Sequence, residues 1–257
     1  MSVYLEQHPP ARRQYRATRR AKPTGAIVVH TAENETDVDL PDGGAEAVAR
    51  YISIRSTPGS YHSIVDSDSI VRVGRYEWEM FHEGTGGNRW SLGLSFACQA
   101  DQWPTLPEAW VTGALRHGAI EAAAMAEWLR GRGIVVPARR ITPAEYRSGR
   151  AGFIGHGELD PGRRYDPGPD FPWEHFLRLY AARTGQESTE DSMANPYEDE
   201  TNEALRLLAE HAGYDGGIDG WFGPKALAAL RRLPRPDPVT VDKAARYDTI
   251  VNALQRR

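Results

Sequence analysis

The chain lacks several features that would each point to a class of protein. Cysteine occurs once, at Cys98, which excludes an internal disulfide framework and a cysteine-rich zinc site. Lysine occurs only three times among the 31 basic residues, and such an arginine bias is typical of a GC-rich coding genome. No run of about eighteen apolar residues is present, so we expect no membrane insertion. The first twenty residues have no apolar core, so we expect no ordinary secretory signal.

What remains is the composition of a globular protein. The 257 residues are 40% hydrophobic and 26% charged, with a net charge of −4. This length favours one full domain followed by a smaller one. The net charge is too mild to indicate a partner.

A basic segment lies near the N-terminus. Between Ala11 and Lys22 there are six positive charges and no acid. Such an arm could contact nucleic acid or another polyanion, or it could be a solvated surface segment. The second is the commoner case, so we expect no nucleic-acid partner.

Strands and helices are mixed through the first two thirds of the chain. Apolar runs predict strands in "GAIVVHTAEN", in "SLGLSFACQ" and on both sides of a turn in "SYHSIVDSDSIVRVG". Periodic patterns predict helices in "GGAEAVARYISIRS", "PEAWVTGALRHGAIEAAAMAEWLRGRG" and "FPWEHFLRLYAAR". With one full-length crossover, this arrangement predicts an α/β domain over residues 1–183, with a mixed central β-sheet flanked by helices.

The composition changes after residue 183. The segment from Thr184 to Glu200 has six acids and no base, which predicts a solvated linker over residues 184–199. Residues 200–257 contain three helical patterns, with Pro224 at the first position of the second helix. They predict a small all-α three-helix domain, and a domain of this size is more often a binding module than an enzyme.

The histidines fall into two groups. Four lie in the basic arm or on predicted helices, where we expect surface positions: His8, His117, His175 and His211. The others stand near strand ends or in glycine-rich loops: His30, His62, His82 and His156. A catalytic zinc site needs three nitrogen or oxygen ligands and one open position. His156 and Asp166 share a loop and His30 ends a strand, so these three could bind one ion, although their spacing alone leaves this open.

The loop "GHGELDPGRRYDPG", residues 155–168, resembles the zinc loop of the N-acetylmuramoyl-L-alanine amidases (amidase type 2) whose fold is shared with peptidoglycan recognition proteins. The resemblance continues in "VVHTAEN", "SYHSIVD", "FHEG" and "NRWSLGL", and spans residues 26–176. It implies a Zn²⁺ ion held by His30, His156 and Asp166. It also implies hydrolysis of the amide that joins muramic acid to L-alanine in peptidoglycan.

The same resemblance implies roles around the metal. Tyr61 would face the site as a catalytic residue, and its neighbour His62 would pack behind the sheet because adjacent strand residues point in opposite directions. Arg164 occupies a position where relatives often have lysine, and a fixed cation there would stabilise developing negative charge. His82 and Asn88 lie in motifs that imply substrate binding.

One position departs from the family pattern. Many relatives carry a glutamate, proposed as the general base, where this chain has Ser95. Glu158, two residues after His156, is expected to orient the His156 imidazole as an outer partner of the metal ligand. The sequence leaves the identity of the base open.

The C-terminal segment "AGYDGGIDGWFGPKALAAL" resembles a three-helix peptidoglycan-binding module. Trp221 and Phe222 could stack on sugar faces there, although helix packing is an equal alternative for one of them.

The sequence as a whole predicts a monomeric bacteriophage endolysin that stays in the host cytoplasm until another protein opens the membrane. Two alternatives remain: a protein that binds peptidoglycan without cutting it, and a zinc peptidase acting within the stem peptide. The binding-only alternative is disfavoured because such relatives typically lose a metal ligand.

Overall fold

The computed structural model describes residues 3–5, 10–38 and 43–186. The predicted C-terminal domain, with Trp221 and Phe222, lies outside the described residues, as does all but the first three residues of the predicted linker. Of those three, Thr184 is the last residue of a helix and Gly185 terminates it with a left-handed backbone, φ 65°.

The described chain forms eight strands, five α-helices and two short 3₁₀ helices at Arg12–Gln14 and Gly87–Arg89. The strands are β1 Val3–Leu5, β2 Tyr15–Arg16, β3 Ala26–Thr31, β4 Ser63–Val65, β5 Ser69–Arg72, β6 Glu79–Met80, β7 Leu92–Phe96 and β8 Gly152–Gly155. The helices are α1 Ala45–Ile54, α2 Glu108–Arg130, α3 Pro143–Arg147, α4 His156–Leu159 and α5 Trp173–Thr184. Each of the strands and helices predicted within residues 1–183 is found, and the three helices predicted in residues 200–257 lie outside the described residues. The single-turn helix α4 lies inside residues 155–168, which were interpreted as a loop.

Six strands form one mixed sheet in the order β1-β5-β4-β7-β3-β8. The four strands β4, β7, β3 and β8 run parallel, whereas β5 is antiparallel to β4 and β1 is parallel to β5. Strands β2 and β6 pair separately. The predicted fold class, a mixed central sheet flanked by helices, is confirmed.

Both faces of the sheet are covered. Ile27 and Val29 of β3 belong to the core beneath α2 and α5, whereas Val28 packs on the opposite face with residues that include Ile154. Side chains alternate between the two faces of a strand, so His30 lies on the same face as Val28. Every residue of β3 is buried, as is typical of a strand in a parallel region covered on both sides.

Helix α2 is the long crossover expected from the sequence. Pro107 precedes its first turn and Gly131 follows its last one. None of the described helices combines the length and the apolar character needed to span a bilayer.

The basic N-terminal arm is folded against the domain. Arg13 donates to the carbonyls of Ile54 and Arg55, which lie at the C-terminal end of α1. Arg19 donates to the carbonyls of Tyr76, Asn88 and Ser91, and Arg20 forms an ion pair with Glu79 at 2.6 Å. Arg13 and Arg20 are exposed, as expected of a surface segment, and Arg19 is partly buried. All three guanidinium groups also bind backbone carbonyls or a buried carboxylate of the domain.

Two helical histidines also differ from expectation. His117 is buried and its Nδ1 lies 3.0 Å from the carbonyl oxygen of Asp66. His175 is half-buried, and burial lowers its pKa to about 4. His8 and His211 lie outside the described residues.

Candidate metal centre

Strand pairing brings two histidines together at one edge of the sheet. His30 follows Val29 in β3, and Val29 pairs with Gly155, the last residue of the parallel strand β8. His156 is the next residue after Gly155, so the two histidines lie at the same level, at the carboxyl ends of neighbouring strands. Both side chains are buried.

The loop after α4 returns to the same point and delivers Asp166. The backbone N–H of Gly157 donates to the carbonyl oxygen of Asp166 at 2.6 Å, and the indole of Trp103 donates to the carbonyl of Pro167 at 2.8 Å. Gly168 has a left-handed backbone, φ 95°, and a Cβ atom there would collide with the carbonyl oxygen of Ala100. The fold-back needed for His156 and Asp166 to share one ion is therefore present.

Three potential ligand atoms form a nearly equilateral triangle. His30 Nδ1 lies 3.0 Å from Asp166 Oδ2 and 3.1 Å from His156 Nδ1, and the distance from His156 Nδ1 to Asp166 Oδ2 is 3.2 Å. Zinc with nitrogen and oxygen ligands at about 2.0–2.2 Å separates tetrahedral ligand atoms by about 3.3 Å. The donor types and spacing of these three residues fit a zinc ion with one open position.

The protonation states also suit a metal. Burial lowers the pKa of His30 to about 4, so its imidazole is neutral at pH 7. Burial opposes ionisation of Asp166, but the adjacent His156 and His30 imidazoles outweigh it and hold the Asp166 pKa below its ordinary value. Neutral imidazole and ionised carboxylate are the forms that bind a metal.

Tyr61 faces this group. Its ring centroid lies 5.1 Å from that of His30. Burial raises the Tyr61 pKa to about 12, and the hydroxyl of Ser95 beside it offsets this in part. Tyr61 is therefore a protonated hydrogen-bond donor at neutral pH. Ser95 is buried and pairs in register with His30, since β3 and β7 are adjacent.

His62 is directed elsewhere. Its Nδ1 accepts a hydrogen bond from the backbone N–H of Gly93 at 2.9 Å, and its Nε2 lies 3.1 Å from the carbonyl of Trp78. Tyr61 and His62 precede β4 in the structure, so strand alternation is not the reason that they diverge.

The two residues expected to bind substrate occupy different environments. His82 is buried, and its Nδ1 lies 3.1 Å from His30 Nε2. The side-chain oxygen of Asn88 accepts from the backbone N–H of Glu83 at 2.7 Å, which holds the loop between them. Sequence reasoning missed the contact between His82 and His30, because nothing in the chain links positions 30 and 82 before the sheet forms.

Arg164 and Glu158 lie on the outer side of the loop. Arg164 is exposed and lines a cavity of about 310 Å³ together with Asp166 and Trp173. Glu158 accepts from the backbone N–H of Gly155 at 2.9 Å and pairs with Arg140 at 2.8 Å. Its carboxylate thus caps the first turn of α4. The expected contact between Glu158 and the His156 imidazole is not formed.

A cluster of three aspartates, separate from the candidate metal centre, was not predicted from the sequence. Asp37, Asp66 and Asp68 bring carboxylate oxygens within 4.8 Å of one another. Asp66 accepts from the backbone N–H of Ala45, at the start of α1, and from Ser69. These bonds join α1 to the β4–β5 turn, a structural role that accounts for Asp66.

No protein-family model matches the chain, and a comparison with curated proteins found no match. Its structure is similar to the Staphylococcus aureus hydrolase AmiA, with 17% identity, a TM-score of 0.44, and coverage of 72% of this chain and 84% of AmiA. A mutant endolysin from Bacillus subtilis has 19% identity and a TM-score of 0.45 over 70% of this chain and 99% of the endolysin. The endolysin amidase LysCS from Clostridium intestinale has 14% identity and a TM-score of 0.40 over 73% of this chain and 97% of LysCS. Similarity at this level does not by itself assign an activity.

Proposed function

We propose that the chain is a zinc-dependent N-acetylmuramoyl-L-alanine amidase that hydrolyses peptidoglycan. The observation that carries the proposal is the buried triangle of His30 Nδ1, His156 Nδ1 and Asp166 Oδ2, with sides of 3.0–3.2 Å. These are the ligand types and the number of ligands that a catalytic zinc site requires. The resemblance of the surrounding motifs to zinc amidases supplies the reaction.

Zinc bound there would polarise the scissile carbonyl and acidify water, which a poor electrophile such as an amide needs. Two side chains of the protein would stabilise the negative charge that develops during hydrolysis. Tyr61 keeps its proton at neutral pH, so its hydroxyl can donate to a carbonyl oxygen that gains negative charge. Arg164 would add a fixed positive charge at the edge of the site, and it cannot act as an acid because arginine does not release its proton.

The substrate assignment has two parts. The cleaved bond is the amide between N-acetylmuramic acid and L-alanine, which rests on the sequence resemblance. The C-terminal domain, with Trp221 and Phe222, would hold the enzyme on the wall. We propose further that the protein is a monomeric phage endolysin, which reaches the wall from the host cytoplasm through a membrane lesion made by another protein.

Digestion of purified peptidoglycan tests the proposal. Mass analysis should find intact glycan strands and stem peptides with free L-alanine amino termini. Cleavage inside the stem peptide would instead identify a zinc peptidase. Binding to the wall with no cleavage by the zinc-loaded protein would identify a non-catalytic recognition protein, which is disfavoured here because all three ligand residues are present.

A further inference from the structure

We propose that His82 is a positioning residue that holds His30 in the orientation and the tautomer needed to bind a metal through Nδ1. The inference rests on the proposed zinc site. It gives His82 a role different from substrate binding, and it includes Ser91 as the residue that holds His82 by a hydrogen bond.

The geometry is a continuous buried chain of hydrogen bonds. His30 Nε2 lies 3.1 Å from His82 Nδ1, and His82 Nε2 lies 3.3 Å from Ser91 Oγ. The Ser91 hydroxyl donates to the carbonyl oxygen of Gly87 at 2.9 Å. Both nitrogens of His82 therefore face protein atoms, and neither is directed to a substrate.

Only one direction of these hydrogen bonds is compatible with metal binding. If the lone pair of His30 Nδ1 binds the ion, the proton of this imidazole is on Nε2 and is donated to His82 Nδ1. The proton of His82 is then on Nε2 and is donated to Ser91 Oγ, whose own proton is donated to Gly87. Metal-binding histidines usually donate their second N–H to an acceptor, and loss of that partner typically weakens metal affinity about 10–100-fold.

The surroundings fix the His82 ring and the Ser91 hydroxyl. A Cβ atom on Gly93 would lie 2.6 Å from Cγ of His82, so strand β7 leaves space for the ring only because this residue is glycine. The Tyr146 hydroxyl donates to Ser91 Oγ at 3.2 Å, which uses the second lone pair of that oxygen. His156 lacks comparable support, since its buried Nε2 has no hydrogen-bond partner within the described part of the chain.

The test measures zinc affinity of the full chain by competition with a chromophoric chelator, a readout that is independent of catalysis. His82→Leu should weaken zinc binding about 10–100-fold. His82→Asn offers an amide oxygen near the place of Nδ1, so its affinity should fall between those of His82→Leu and the parent. Ser91→Ala should weaken binding by a smaller factor. His117→Leu is the matched control, because it also removes a buried, hydrogen-bonded histidine but lies on α2, and zinc affinity should be unchanged.

Parent-like zinc affinity in folded His82→Leu would overturn the proposal. If that variant does not fold, parent-like affinity in both His82→Asn and Ser91→Ala would overturn it. A higher KM for muropeptides at unchanged zinc affinity would assign His82 to substrate binding instead. A wrong assignment of the zinc site itself would give a different result. The parent would then bind no zinc, or His30→Ala would bind zinc as tightly as the parent.

Discussion

At the scale of single residues, Asp166 is the point on which both imidazoles of the candidate centre converge. Its Oδ2 atom is within 3.2 Å of His30 Nδ1 and His156 Nδ1. We predict that Asp166→Ala loses both bound zinc and peptidoglycan hydrolysis, because two ligands remain of three. Metal analysis and wall-clearing assays measure the two losses. Asp170→Ala, an exposed acid in the same loop, should retain both, and full activity in Asp166→Ala would disprove the ligand assignment.

Tyr61 supplies the second prediction. Tyr61→Phe keeps the ring beside His30 and removes only the hydroxyl, so turnover should fall about 100–1000-fold while zinc content is unchanged. Ser95→Ala should be nearly silent, because a serine hydroxyl without a partner base does not replace a carboxylate. Single-turnover rates on a soluble muropeptide measure both effects, with Tyr51→Phe as a control on the exposed side of α1. The reverse ranking of Tyr61→Phe and Ser95→Ala would mean that water is activated from the Ser95 side.

Arg164 is expected to act through its charge. Arg164→Ala should lower turnover, and Arg164→Lys should restore much of it, because a cation at that position suffices to stabilise negative charge. The comparison is made on kcat at saturating muropeptide. Arg163→Ala, which removes a neighbouring exposed cation paired with Asp160, should have little effect. Equal loss in the Ala and Lys variants would mean that the shape of the guanidinium matters and not its charge.

At the scale of elements, the junction between α1 and the β4–β5 turn makes the stability of the folded state depend on pH. Partial desolvation, followed by the neighbouring charge of Asp66, raises the pKa of Asp68 to about 7. The folded state therefore prefers protonated Asp68. The stability gained from this is complete at low pH, is lost as pH rises toward about 7, and stays lost above it.

Asp68→Asn imitates the protonated form, so we predict a higher free energy of unfolding than the parent at pH 8 and a difference that disappears below about pH 3. The Asp68 side chain is exposed, so solvent screening limits the gain to less than about 1 kcal/mol. Urea unfolding at several pH values measures it, with Asp170→Asn as the control. A gain that is the same below about pH 3 and at pH 8 would show that ionisation is not its cause.

At the scale of the whole molecule, the candidate centre lies entirely within the first 186 residues. A chain shortened after Gln186 should fold, bind zinc and cleave soluble muropeptides, because the described core closes on itself through α2 and α5. It should sediment with intact walls more weakly than the full chain. If residues 200–257 alone do not sediment with peptidoglycan, the predicted wall-binding role of that segment is wrong.

The longer elements of the fold could be read from local pattern, whereas the short strands β1, β2, β6 and β8 and the short helices α3 and α4 were not predicted. The apolar run of β3, the caps of α2 and the turn between β4 and β5 depend on residues that are neighbours in the chain, and each was predicted near its observed place. The three proposed metal ligands were named through motif resemblance, and spacing alone left them open. Interactions between residues close in the chain determine helices, strands and turns, so these elements can be predicted from the sequence.

What only the tertiary structure decided is which distant side chains meet. His30 and His156 approach because β3 and β8 pair in parallel, and His82 reaches His30 because Gly93 leaves room for its ring. The same holds for the arginines of the N-terminal arm, which appear solvated in sequence but reach carbonyls at the end of α1 and beside β7. Each of these contacts joins residues far apart in the chain, and the register of the sheet and the packing of loops against it determine their partners.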